Sequence, residues 1–218
     1  MSTLLRRRVL LSLGSLLFVG GAMLTGVARA TVLDLSAATV NSSPVIGGFV
    51  PQLAFDNNHG TFWAGGGVAG TSWIWVDLGA DMTINTVSMD YEDSFPVDYT
   101  FGTRTSAQGS SNDPSMYATV ASVLGRSGVD GSGSGFDDVF NFNTGLVTFN
   151  SGTAVSASAS TGVVGRYLLM ASTSGNNGIS VVWEFQVDAN PVPEPSTLAL
   201  AGLGLIGLVG CGLRRRRA

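Results

Sequence analysis

The 218-residue sequence predicts an all-β chain: an antiparallel β-sandwich set between an N-terminal signal helix and a C-terminal transmembrane helix. Three observations carry this. From residue 31 to residue 188, apolar residues recur in short alternating segments rather than at helical spacing. Clusters of Gly, Ser and Asn separate these segments, and no stretch combines a 3.6-residue apolar stripe with caps. Each end of the chain instead carries an uncharged apolar run beside a cluster of arginines.

At the N-terminus, Arg6, Arg7 and Arg8 precede the run Val9 to Val19, and Ala28-Arg29-Ala30 supplies small residues at the spacing read by signal peptidase. Residues 1–30 therefore read as a signal peptide cleaved between Ala30 and Thr31. Gly20 to Val27 prolong the apolar stretch, which leaves an uncleaved anchor as the alternative; both readings export the middle of the chain.

The exported region, residues 31–188, is long enough for one domain with its own core. Trp73-Ile74-Trp75-Val76-Asp77-Leu78 forms a strand ending at Gly79, with Ile74, Val76 and Leu78 on a core face and Trp73, Trp75 and Asp77 on the other. Asp77 then points away from the core, free to accept hydrogen bonds from a turn. Ile84 to Met89, Tyr99 to Phe101, Val139 to Phe149, Arg166 to Ala171 and Ile179 to Val187 are further strands, and Ser151 to Thr161 reads as a weak edge strand. Thr105 to Pro114 and Arg126 to Gly135, rich in Ser, Gly, Asn and Asp, read as loose loops. Arg166 either crosses to an acid such as Asp77 or stays solvated.

Charge narrows the function classes. Residues 31–190 hold Arg104, Arg126 and Arg166 against 14 acids, a net charge of −11 that the whole-chain value of −4 conceals. Such a surface repels phosphate backbones, which argues against nucleic-acid binding. The single cysteine, Cys211, lies in the C-terminal run, so the domain has neither a disulfide nor a thiol nucleophile.

Residues 189–197 are a linker containing Val192-Pro193-Glu194-Pro195; residues 198–213 form the apolar run, and residues 214–218 are a basic cytoplasmic tail. Sixteen residues span about 24 Å as a helix against a hydrocarbon core of about 30 Å, a deficit that flanking residues cover. Pro193 and Pro195 keep the preceding segment extended. Motif, apolar helix and arginine cluster in this order resemble the PEP-CTERM sorting signal of Gram-negative bacteria, with Pro193, Glu194 and Pro195 as the sorting motif. The resemblance implies processing by an exosortase, a membrane-embedded cysteine transpeptidase, and association with biofilm or exopolysaccharide systems. A plain C-terminal anchor is the alternative. The implied route runs through the inner membrane, with a transient anchor, to the envelope, the outer surface or a secreted matrix.

A second resemblance rests on Ala54-Phe55-Asp56-Asn57, Thr61-Phe62-Trp63, Trp73 to Gly79, Ile84 with Val87, Gly165 to Met170, and Trp183-Glu184-Phe185-Gln186-Val187. Together these look like a discoidin, or coagulation-factor type C, domain: a galactose-binding-like jelly roll shared with many bacterial carbohydrate-binding modules. The family often holds a structural calcium ion. The matching positions are the carbonyls of Phe55 and Asn58 and the side chains of Asp56, Thr61 and Glu184, an oxygen-only set suited to a hard cation. Asn57 stands where the family usually has Gly, and Asn tolerates the left-handed backbone that Gly supplies. An Asx-type turn pinned by Asp56 without metal is the alternative.

For sugar contacts the resemblance points to loops at one end of the sandwich, with His59, Phe62, Trp63 and Arg104 available by residue type, although Trp63 is more often core in the family. Catalysis has little footing: the lone His59 has no nucleophile-elbow motif beside it, and Asp90, Glu92, Asp93, Asp137 and Asp138 read as solvated loop acids. The expected function is a non-enzymatic carbohydrate-binding or adhesion module. The alternatives are a structural matrix protein without a specific sugar and, further off, a polysaccharide-acting enzyme.

Overall fold

Strand β4, Ser72–Tyr91, is 20 residues long and serves both layers of the structure. The computed structural model describes residues 31–66, 71–129 and 135–192, with Gly202 and Gly204 beyond them. The remaining strands are β1 Thr31–Val32, β2 Val40–Ser42, β3 Trp63–Gly65, β5 Pro96–Arg104, β6 Ala118–Leu124, β7 Asp138–Asn141, β8 Leu146–Phe149, β9 Ser156–Ala159, β10 Val164–Gly175 and β11 Ser180–Pro191. All pairings are antiparallel.

In one layer the first part of β4 lies between β2 and β10, followed by β5, β6 and β9. In the other, the second part of β4 lies between β11 and β7, with β8 outside β7 and both β1 and β3 on the far edge of β11. The bend falls where sequence reasoning ends the strand: Gly79 has φ 86°, and its amide donates to Asp77 Oδ1 at 2.8 Å. A left-handed residue there favours glycine, and Asp77 pins the corner while also receiving Arg166 at 2.7 and 2.9 Å.

Between the layers lies an aromatic core. Phe101 meets Phe140 edge-on at 4.7 Å and Phe185 at 5.7 Å, while Phe185 stacks on Phe55 at 5.1 Å. Ile74, Val76 and Leu78 face this core as their alternation predicts. Ile84 breaks strict alternation, because it joins Val87 and Met89 in the core. The register explains this: Asp188 and Ala189 oppose Thr86 and Ile84, leaving Asn85 as the extra residue of a bulge.

The other face of β4 carries a second cluster of Trp75, Tyr117, Leu169 and Ala171, flanked by Trp73 and Tyr167. Its cover is the segment 105–116, tied down where the loop Thr105 to Pro114 reads as loose. Arg104 donates to the carbonyls of Gly109 at 2.7 Å, Met116 at 3.0 Å and Gln108 at 2.5 Å. Asn112 Oδ1 accepts the Trp75 indole N–H at 3.0 Å, and Asp81 accepts the Ser106 amide at 2.7 Å. Composition suggested nothing to bury because the apolar residues that this segment covers lie elsewhere in the sequence.

The described part of the second loose loop is pinned likewise. Arg126, 2% exposed, donates to Asp138 Oδ1 and Oδ2 at 2.9 and 3.1 Å and to the carbonyls of Ser127 and Ser151. Tyr99 donates to the same carboxylate. Gly152, with φ 59°, is tied to this arrangement, since a Cβ there would sit 1.9 Å from the Ser127 carbonyl oxygen. Val139 to Phe149 divides into β7 and β8 around a turn at Gly145, and β9 occupies the expected weak edge. Among the described residues no helix is long and apolar enough to cross a membrane, and the expected signal and transmembrane helices lie outside them, apart from Gly202 and Gly204.

Arg126→Met leaves Asp138 buried without its cation, and chemical denaturation should show a loss of about 3–5 kcal/mol. Adding Asp138→Leu should recover most of that loss, because two apolar side chains strand no charge; equal losses in both variants would contradict this account of the pair.

Candidate functional site

The strand registers place Ser72, Tyr91, Pro96 and Ser180 at one end of the sandwich, and Gly79, Arg104, Val164 and Pro191 at the other. The loop 55–62 stands at the first end. A turn at Pro51–Ala54 delivers Phe55 into the core, where it is 1% exposed, and this fixes the loop's entry. Asn57 adopts φ 57°, the left-handed conformation expected of it. Asp56 then closes the loop from both oxygens: Oδ1 accepts the Asn58 amide at 3.0 Å and Oδ2 accepts the Thr61 hydroxyl at 2.8 Å. Thr61 Oγ1 also lies 2.9 Å from the Asn58 carbonyl oxygen, and Asn58 Oδ1 accepts the Gly60 amide.

Two acids lie under this loop. Val182 and Glu184 oppose Tyr91 and Asp90, so Trp183 is the extra residue of a bulge beside the loop. Glu184 is 3% exposed and its Oε2 has no hydrogen-bond partner. Burial, and then the charge of Asp56, push its pKa up to about 7, against the pull of His59 and of the Asn58 and Asn57 amides. Asp90, fully buried, binds His59 through Nδ1. Asp56 and Glu184, the latter buried with an unpartnered oxygen, together call for a proton or a cation. Asp56 and Glu184, with Thr61 and the Phe55 and Asn58 carbonyls, thus fit a hard cation. Among the described residues no three His, Cys, Asp or Glu side chains form a metal-binding group, so a cation here would rest on the hydroxyl and carbonyls as well.

Beside the loop is an aromatic patch. Phe62 stacks on Phe49 at 4.3 Å and meets the Trp183 edge at 5.1 Å, while His59 meets Phe136 at 5.5 Å. Ile46, Phe49 and Val50 are exposed along its border. The structure therefore keeps His59 and Phe62 together, puts Trp63 in the core as the family pattern favours, and takes Arg104 away from the site. Trp63 is fully buried in the core, as its position on β3 against Val182 dictates. Arg104 lies at the opposite end, its guanidinium committed to carbonyls and to the Tyr117 ring at 5.6 Å.

Phe49, Phe136 and Trp183 are absent from the sequence-based site, because only the folded loops bring them together. Asp90, Asp137 and Asp138 also depart from the solvated acids expected: all three are buried, Asp137 accepting the Tyr91 amide at 2.9 Å. Apolar neighbours such as Met89, Tyr91 and Phe140 were the available signal. The sorting motif Pro193, Glu194 and Pro195 and the cleavage residue Ala30 lie outside the described residues, while Thr31 opens β1.

The F5/8 type C domain family matches residues 37–185, more than half of the chain. The chain belongs to this family. A PEP-CTERM protein-sorting motif matches residues 191–217, marking an exported protein with a C-terminal sorting signal. No curated protein sequence matches the chain. Among solved structures, this F5/8 type C chain is similar to chitosan-binding module 1 of a chitosanase/glucanase from Paenibacillus sp. IK-5, with 24% identity, a TM-score of 0.52, and coverage of 73% of this chain and 99% of the module. It is also similar to a family 32 carbohydrate-binding module of Clostridium perfringens solved with galactose, at 13% identity, a TM-score of 0.47 and coverage of 73% and 99%.

With divalent cations chelated, stability should fall as pH rises from 4.5, the ordinary Glu184 value, to about 7. The folded state retains a proton that the unfolded chain has already released, so the stabilisation is complete below 4.5 and gone above the folded value, a change on the order of 3 kcal/mol. Urea midpoints across this range test it, and Glu184→Gln should flatten the profile.

Proposed function

We propose that this protein is an exported, non-enzymatic carbohydrate-binding or adhesion module, sorted by an exosortase to the envelope, the outer surface or a secreted matrix of the biofilm or exopolysaccharide type. The observation that carries the reading is the patch of Phe49, Phe62 and Trp183 beside His59 at the loop end. Aromatic faces flanked by a few polar groups suit the apolar faces and hydroxyls of sugar rings. The Paenibacillus module, which shares the fold, is named for chitosan binding, and this supports a glycan ligand. Against a serine triad, no Ser hydroxyl bonds to the Asp90-held His59 among the described residues.

Charge narrows the ligand. Arg126 and Arg166 are paired with Asp138 and Asp77, and Arg104 is committed to carbonyls, so each arginine of the domain already serves an internal partner. With a net charge of −11 over residues 31–190, the domain suits neutral sugars or sugars bearing protonated amines and rejects polyuronates. Calcium at Asp56, Thr61, Glu184 and the Phe55 and Asn58 carbonyls would neutralise Asp56 and Glu184 and stiffen the loop that carries Phe62.

Affinity electrophoresis of the purified protein should show retardation by neutral or amino-sugar polysaccharides and none by polyuronate. Phe62→Ala should weaken binding by about tenfold, near 1.4 kcal/mol, whereas Val164→Ala, 41% exposed and at the opposite end of the sandwich, should not. Absence of retardation by every glycan would favour a structural matrix protein.

Calcium at millimolar concentration should raise the melting temperature by several degrees, a gain of roughly 1–3 kcal/mol, and Glu184→Gln should remove most of it. An unchanged melting curve would reduce the loop to a metal-free Asx turn.

A further inference from the structure

The sorting signal and the folded domain share a residue: the motif matched at residues 191–217 begins on the last residue of β11, Ser180–Pro191. Asn190 pairs with Thr83 and Pro191 with Met82, and the Val192 amide donates to the Asp81 carbonyl at 3.2 Å. A processing enzyme that grips an extended strip needs backbone groups of that strip for itself, and groups already bonded to β4 are not available to it. There is little slack to avoid the conflict. From Val192 to the start of the apolar run at Leu198 the chain can reach at most about 20 Å.

The end of β11 is also built weakly. The register shift between Asp188 and Ala189 interrupts the ladder just inboard of it. Pro191 has no amide to donate. Asp188 Oδ1 and Asn190 Oδ1 are buried without a partner. Holding begins immediately upstream: Ala189 is fully buried in the core, and Thr31–Val32 pairs with Ala189 and Asp188 on the other edge of β11. Opening that starts at the C-terminal side therefore meets a stop at Ala189, leaving residues 190–192 as the unit that can separate without disturbing the core.

We propose that residues 190–192 are a peelable end of β11, and that at the native spacing between domain and apolar run the sorting enzyme reaches its motif only when they are detached from Asp81, Met82 and Thr83. Local opening of this corner then sets the rate of processing, and the corner formed by Asp81–Thr83 and the end of β11 is the face of the domain turned towards the membrane-embedded enzyme. The inference rests on the sorting reading above and adds a conformational requirement to it.

The test is a pulse-chase of the full-length protein in cells that carry the sorting enzyme, following loss of the segment ending at Arg217 by intact mass. The double variant Thr83→Cys/Asn190→Cys joins a register pair whose antiparallel Cα separation, about 4.5–5.5 Å, suits a disulfide. Exported compartments favour its formation. Stapling should slow processing by about tenfold or more, in proportion to the lost open population. Each single-cysteine variant should be processed normally, and a flexible Gly-Ser spacer inserted after Val192 should restore the stapled chain. Processing of the stapled chain at the wild-type rate overturns the proposal. So does slow processing that the spacer leaves unrepaired, because the defect then lies elsewhere. A wild-type chain that is never processed refutes the sorting reading itself.

Discussion

Everything in this domain depends on one strand working in two layers. The first part of β4 pairs with β2 and β10, and its second part pairs with β11 and β7. That arrangement requires a sharp bend at Gly79, a reset of side-chain alternation at Asn85, and a core wide enough to take the rings of Phe55, Phe101, Phe140 and Phe185. Once β4 is bent, the two ends of the sandwich acquire different characters. One gathers the loops around His59 and Phe62, and the other gathers the corner at Gly79 together with the end of β11.

Electrostatics is governed by the same scarcity of freedom. A domain with 14 acids and three arginines has few cations to spare, and all three serve the fold. Arg126 holds Asp138 beneath the loops, Arg166 braces Asp77 at the bend, and Arg104 clamps the segment that covers Trp75. The carboxylates left over give the surface its sign. At the loop end that sign becomes local, where Asp56 and the buried Glu184 sit close enough to raise the Glu184 pKa and create a demand for positive charge.

Alternation along Trp73 to Leu78 was a reliable guide, because on a pleated strand the period of two translates directly into faces, and Ile74, Val76 and Leu78 are where it puts them. Asn57 was legible for a similar reason: few residues other than Gly tolerate its backbone, and the loop needs that backbone. Arg104 and the segment 105–114 were not. Whether an arginine contacts ligand or clamps a loop, and whether Ser and Asn residues are loose or cover a tryptophan, depends on partners far away in sequence. The short strands β1, β2 and β3 escaped notice because two or three residues carry no periodicity.

The sequence by itself determined the class of fold, the family and the presence of an export and sorting address, since alternation, local motifs and apolar runs are properties of neighbouring residues. Tertiary structure alone decided which aromatics share a surface, which acids are buried, and that the sorting signal starts on a residue still paired in the sheet. Those are relations between segments brought together by register, and a chain acquires them only when β4 bends and β11 closes against it.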